Sequence, residues 1–136
     1  MRLLLLLTVL SLTACAATKA IVQSQESILT EQDNKAVNVK VGQRFAVRVE
    51  ENPTTGYVWA IEGQPKLFTL QSSEYVTDAH PNPQGKMPVG AGGQRSFVFV
   101  AQKAGSYTLK FKQWRPWLGD SSIVETFNVD IQVNEK

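Results

Sequence analysis

A chain of 136 residues has room for one globular domain and little more. Hydrophobic residues make up 43% and charged residues 19%, the balance of a chain that folds around a core. The formal charge is only +2 and no run of Lys and Arg occurs, so there is no reason to expect nucleic acid, which requires a clustered basic face, as a partner.

The first fifteen residues, "MRLLLLLTVLSLTAC", place one Arg behind the start Met and then an apolar run over residues 3–12. That run is shorter than the roughly 20 residues a membrane-spanning helix needs, and it suits the apolar region of a secretory signal. It ends in Leu12, Thr13, Ala14 and Cys15, which resembles the lipobox of bacterial lipoproteins. The resemblance implies a signal peptide over 1–14, cleavage before Cys15, and a diacylglycerol on its sulfur. Several acyl chains together make a stable anchor where one is marginal. The plainer alternative is a simple secretory signal with a Cys beside the cut. Cys15 is the only Cys in the chain, so no internal disulfide competes for it. Ala16, rather than Asp, follows it, which implies an exported lipoprotein of the bacterial cell envelope held at the outer membrane.

Residues 16–35 are polar and weakly patterned, as a tether between lipid and domain would be, with a short helix around 23–29 as one option. From Ala36 the period becomes two. "AVNVKV", "QRFAVRVE", "YVWAI", "KLFTLQ", "SEYVTD", "RSFVFVAQ", "GSYTLKFKQW" and "SIVETFNVDIQV" read as strands, Val124 being out of step in the last. About seven or eight short strands with Gly, Pro and polar breaks predict an all-β antiparallel sandwich or barrel over 36–136.

Three connections are too particular for plain turns. In "NPTTGYVW", Pro53 fixes its own φ and pushes Asn52 toward an extended shape; Gly56 can take a positive φ. Thr54 and Thr55 are β-branched and stiff. This loop is predicted to be preformed, with its hydroxyls in fixed directions and Trp59 anchoring the following strand. Residues 78–94 form a long loop rich in Pro and Gly, ending in the bare backbone of Gly90, Ala91, Gly92 and Gly93. Residues 114–120, "WRPWLGD", gather Arg115, Pro116 and Trp117, of residue types that dominate interfaces; Trp114 is predicted to be structural and Trp117 exposed.

Taken in order, "NPTTGYVW", "GAGG" and "RPW" resemble the chagasin-type inhibitors of papain-like cysteine proteases, over roughly residues 36–133. The resemblance implies an immunoglobulin-like sandwich with the three loops gathered at one end. It implies a reversible, non-covalent, competitive inhibitor of papain-like, cathepsin L-like enzymes. Asn52, Pro53, Thr54, Thr55 and Gly56 would form the central loop, beside the catalytic cysteine. Gly90, Ala91, Gly92 and Gly93 would lie along the non-primed side of the cleft, and Arg115, Pro116 and Trp117 would cover the primed side. The alternative is an envelope-anchored binding module for a partner that is not a protease.

An enzyme is disfavoured. The single His80 sits between Ala79 and Pro81, no "GxSxG" stretch occurs, and Asp78 with His80 are too few for a zinc site. No cofactor is implied, no catalytic residue is assigned, and a monomer is expected.

Overall fold

The computed structural model describes residues 27–30 and 36–136. Cys15, the expected signal peptide and most of the expected tether lie outside these. Among the described residues there are eight strands: β1 (Ser27–Thr30), β2 (Val37–Lys40), β3 (Arg44–Glu51), β4 (Val58–Glu62), β5 (Phe68–Thr77), β6 (Gly93–Ala101), β7 (Gly105–Trp114) and β8 (Glu125–Asn134). The only helices among them are 3-10 turns at Pro53–Thr55, Pro116–Leu118 and Asp120–Ser122.

The strands form two four-stranded sheets, ordered β1-β3-β6-β5 and β2-β8-β7-β4. β3, β6, β7 and β8 each have an apolar face turned toward the other sheet, as period-two alternation dictates. Phe45, Val47 and Val49 of β3, Phe97 and Phe99 of β6, Leu109 and Phe111 of β7, and Val129, Ile131 and Val133 of β8 are all buried. Aromatic rings join the layers. Phe97 of one sheet meets Phe111 of the other at 5.3 Å between centroids, and Phe111 stacks on Phe127 at 4.7 Å. Trp59 packs edge-on to Phe127 at 5.2 Å, so β4 is pinned to the core by the residue expected to pin it. The architecture is an immunoglobulin-like β-sandwich.

Three features depart from the sequence reading. The four residues Ser27–Thr30 are a strand, not helix or tether; they pair in parallel with β3, Ser27 beside Phe45 and Thr30 beside Arg48. The sandwich is also not wholly antiparallel, since β2 pairs in parallel with β8. Parallel pairs arise where a strand reaches a sheet by crossing over from elsewhere, because a tight hairpin can join only antiparallel neighbours. Finally, "KLFTLQ" and "SEYVTD" are one strand. A register shift between Leu70 and Ser72 absorbs the polar break as a bulge, and β5 continues against β6 on both sides of it.

Strand register sets where the three loops lie. Glu51 at the end of β3 is level with Gly93 at the start of β6, and Gly93 is level with Thr77 at the end of β5. In the other sheet Val58 at the start of β4 is level with Trp114 at the end of β7, and Gln113 pairs with Glu125 at the start of β8. The β3–β4, β5–β6 and β7–β8 connections therefore share one pole of the sandwich.

Candidate functional site: a three-loop edge

The central loop, residues 52–57, is a closed unit of short hydrogen bonds. Asn52 caps the 3-10 turn: its Oδ1 accepts from the Thr54 amide at 3.2 Å and from the Thr54 hydroxyl at 2.6 Å. The Thr55 hydroxyl donates to the Asn52 carbonyl at 2.7 Å, and the Gly56 amide donates to the Pro53 carbonyl at 2.9 Å. Gly56 has a φ of +81°, the left-handed value at which a glycine closes the turn. The loop is rigid for the reasons its residues suggest, but the hydroxyls behave differently. Both donate back into the loop, and the Thr55 hydroxyl also accepts from the Tyr57 amide at 3.3 Å, so these two exposed residues have their hydroxyl protons engaged within the loop.

Each neighbouring loop is tied to this one. Asn52 Nδ2 donates to the Gly90 carbonyl at 3.0 Å, joining the β5–β6 loop on one side. Arg115 Nη2 donates to the Thr55 carbonyl at 2.9 Å, joining the β7–β8 loop on the other. The Arg115 guanidinium also lies 4.2 Å from the centre of the Tyr57 ring, a cation–π contact. The loop of residues 52–57 is thus the middle one by construction.

Half-buried Arg115 holds the central loop from within, whereas the sequence reading placed it on the partner-facing surface. Pro116 and Trp117 do face outward; Trp117 is 68% exposed and Leu118 54%. Trp114 is half-buried, with the Lys112 ammonium 3.9 Å above its ring, and Lys112 in turn pairs with Asp120 at 2.7 Å. Ser122 closes this loop by accepting from the Arg115 amide at 2.9 Å.

The loop between β5 and β6 is better organised than its composition suggests. Asn82 Oδ1 accepts from the amides of Gln84 and Lys86, and the Asp78 amide donates to the Gly92 carbonyl at 3.0 Å. Its four motif residues divide. Gly90 is exposed, Ala91 and Gly92 are half-buried, and Gly93 is buried. A Cβ on Gly93 would stand 2.2 Å from the Val76 carbonyl oxygen, so this glycine exists to let β5 and β6 approach and presents no backbone to a partner. His80 and Asp78 are both exposed here, and among the described residues no three metal-ligating side chains come together.

The sequence reading missed several residues. Val89, 96% exposed beside Gly90, is an apolar side chain displayed on the same edge. Buried Glu51 and half-buried Arg95 form an ion pair at 2.7 Å beneath the loops. Their signal is legible in hindsight: Glu51 is in phase with Phe45, Val47 and Val49, and Arg95 with Phe97 and Phe99. Two opposite charges on core faces announce a pair.

A rigid edge of three mutually braced loops, projecting from one pole of an immunoglobulin-like sandwich, defines a binding protein with a preformed contact surface. The sequence profile of the chagasin family of peptidase inhibitors, I42, matches residues 38–131. Chagasin of Trypanosoma cruzi is 33% identical over 107 residues, covering 78% of this chain and 96% of that protein. The crystal structure of the cysteine protease inhibitor EhICP2 from Entamoeba histolytica superposes with a TM-score of 0.65 at 26% identity, covering 79% of this chain and 95% of that one. PbICP-C, solved in complex with falcipain-2, shares the fold at a TM-score of 0.50 and 19% identity, covering 82% and 92%. The chain belongs to the chagasin family of cysteine protease inhibitors, whose members are inhibitors and not enzymes.

Proposed function

We propose that this protein is a reversible, non-covalent, competitive inhibitor of papain-like, cathepsin L-like cysteine proteases, and that its three loops enter the active-site cleft together. The observation that carries this reading is the pair of ties from the central loop, Asn52 to Gly90 and Arg115 to Thr55, which make the edge one rigid body. Rigidity lowers the entropy lost on binding and so favours affinity. It also protects the inhibitor. The peptide bonds of residues 52–56 are held in a 3-10 turn, whereas cleavage requires an extended strand in near-attack geometry.

Outward contacts come from Pro53, Thr54 and Thr55 in the centre, from Val89, Gly90 and Ala91 on one flank, and from Pro116 and Trp117 on the other. Asn52, Gly56, Gly93 and Arg115 shape and brace this surface. None of the tips carries a thiol, imidazole or carboxylate, which supports a mechanism by occupancy with no covalent step.

The test is a titration of the chain from Ala16 onward, which lacks Cys15, into papain and a cathepsin L-type enzyme with a fluorogenic peptide as substrate. Competitive inhibition relieved by dilution, with intact inhibitor recovered by mass spectrometry, is the expected result. A folded chain that leaves both enzymes fully active at micromolar concentration would sink the reading and favour an envelope-anchored module for another partner. We also propose that the mature protein is a monomer anchored at Cys15 in the bacterial outer membrane. Replacing Cys15 by Ser should abolish incorporation of labelled fatty acid and release the protein from the membrane fraction.

A further inference from the structure

We propose that the ion pair of buried Glu51 and half-buried Arg95 is a positioning element that sets the spacing between the central loop and the β5–β6 loop. The proposal deepens the inhibitor reading and rests on it for its consequence, though not for its geometry. Glu51 is the last residue of β3 and only 3% exposed. Its Oε2 accepts from the Trp59 backbone amide at 2.7 Å. Arg95 Nε donates to both carboxylate oxygens, at 2.9 and 2.8 Å, and Arg95 Nη2 donates to Oε1 at 2.7 Å. Arg95 Nη1 is steadied in turn by the Ser73 hydroxyl at 3.2 Å.

The topology gives this junction its meaning. Residues 52–57 form the crossing from β3 in one sheet to β4 in the other, with Glu51 ending β3 and Trp59 the second residue of β4. The Glu51–Trp59 bond is therefore a clasp across the root of the central loop. A second clasp beside it runs from the Trp59 indole Nε1 to the Glu50 carbonyl at 2.9 Å. Arg95 follows Gly93, where the β5–β6 loop returns to the sheet. One carboxylate thus holds both ends of the central loop and the exit of its neighbour. The tip-to-tip bond from Asn52 to Gly90 closes the same circuit from above.

A buried charge at this position is not what the fold alone calls for. Phe45, Val47 and Val49 fill the same face of β3 with apolar side chains. Burying an ion pair costs desolvation that its own attraction roughly offsets, and apolar replacements are often at least as stable. What an apolar pair cannot supply is a fixed direction. The guanidinium and carboxylate planes lock in one geometry, and the remaining carboxylate capacity is used by a strand amide. If the loops hold their binding spacing only part of the time, apparent affinity falls by that fraction.

The experiment compares the parent chain with Glu51→Gln, Arg95→Met and the double variant Glu51→Leu/Arg95→Met. Val129→Ala, in the middle of β8, serves as a destabilised control. Thermal unfolding, papain inhibition and amide hydrogen exchange over residues 52–58 and 90–94 are measured for each. Both single variants and the double should exchange faster in these two segments. They should also inhibit about tenfold more weakly or worse, as expected if the competent spacing falls to about a tenth. The control should lose melting temperature while keeping its inhibition constant. A folded double variant with parental loop exchange overturns the proposal, and so does one with parental inhibition. If the parent itself leaves papain active, the inhibitor reading fails, while the exchange measurement still decides the positioning role.

Discussion

Gly56 and Trp117 show how closely the edge is built. An added Cβ on Gly56 would stand 2.8 Å from Cη2 and 3.0 Å from Cζ2 of the Trp117 ring, at a φ of +81°. Gly56→Ala thus meets two penalties at once. The left-handed backbone alone should cost about 1–2 kcal/mol in unfolding free energy, read by denaturant titration. The displaced indole should then weaken inhibition beyond that loss. Trp117→Ala separates the effects, because the ring is exposed. Its unfolding free energy should stay within about 0.5 kcal/mol of the parent. Inhibition of papain should weaken about 30-fold or more, the equivalent of about 2 kcal/mol expected of an aromatic anchor. Parental inhibition by Trp117→Ala would remove that residue from the contact surface. The exposure of Trp117 was readable from "WRPWLGD", where one Trp ends a strand and the other follows Pro. The contact with Gly56 was not, since the two residues are remote in the chain and meet only through the folded pole.

Among elements, the central loop is the most self-contained. Asn52 caps it, receives both Thr54 donors and reaches across to Gly90. Asn52→Ala should therefore cost about 1 kcal/mol of stability, a usual loss for a removed cap. It should also speed hydrogen exchange in residues 90–92, although those residues are untouched; unchanged exchange there would show that the tie carries no constraint. The strands obey the same local logic. β3, β7 and β8 were legible because their apolar residues alternate, and Phe111→Ala should cost about 3–5 kcal/mol, since its ring lies between the sheets against Phe97 and Phe127. β5 was misread as two strands because Ser72 and Ser73 look like punctuation. A bulge needs only local backbone freedom and leaves the flanking ladder intact, so composition alone does not distinguish it from a break.

At the scale of the whole molecule, β1 sets the pole at which the chain enters the sandwich. It runs parallel to β3, with Ser27 beside Phe45 and Thr30 beside Arg48, and β3 continues to Glu51 and the central loop. The chain accordingly enters β1 from the pole opposite the three loops. On the proposed lipid anchor, residues 16–26 link Cys15 to that far pole, a reach of about 40 Å at most when extended. On that anchor the three loops are at the pole farther from the point of attachment. The lipidated protein in vesicles should inhibit added papain about as well as the soluble chain, within about twofold, because access to the edge is unobstructed. A large loss of inhibition on vesicles would contradict the entry pole. Removing residues 27–30 should separately destabilise the sandwich by exposing the edge of β3.

The sequence by itself determined the fold class, the rigidity of residues 52–56, the exposed Trp117 and the family, because alternation, proline φ, glycine freedom and short motifs act within a few residues of chain. Only the tertiary structure decided that Asn52 and Arg115 brace the loops and that Gly93 serves the sheet. The same holds for the pairing of the Glu51 and Arg95 charges and for β1 joining β3 in parallel. Each of these depends on register between strands far apart in sequence, and on where a buried donor finds its acceptor. Those are properties of the closed sandwich, since a partner exists for such groups only once both sheets have packed.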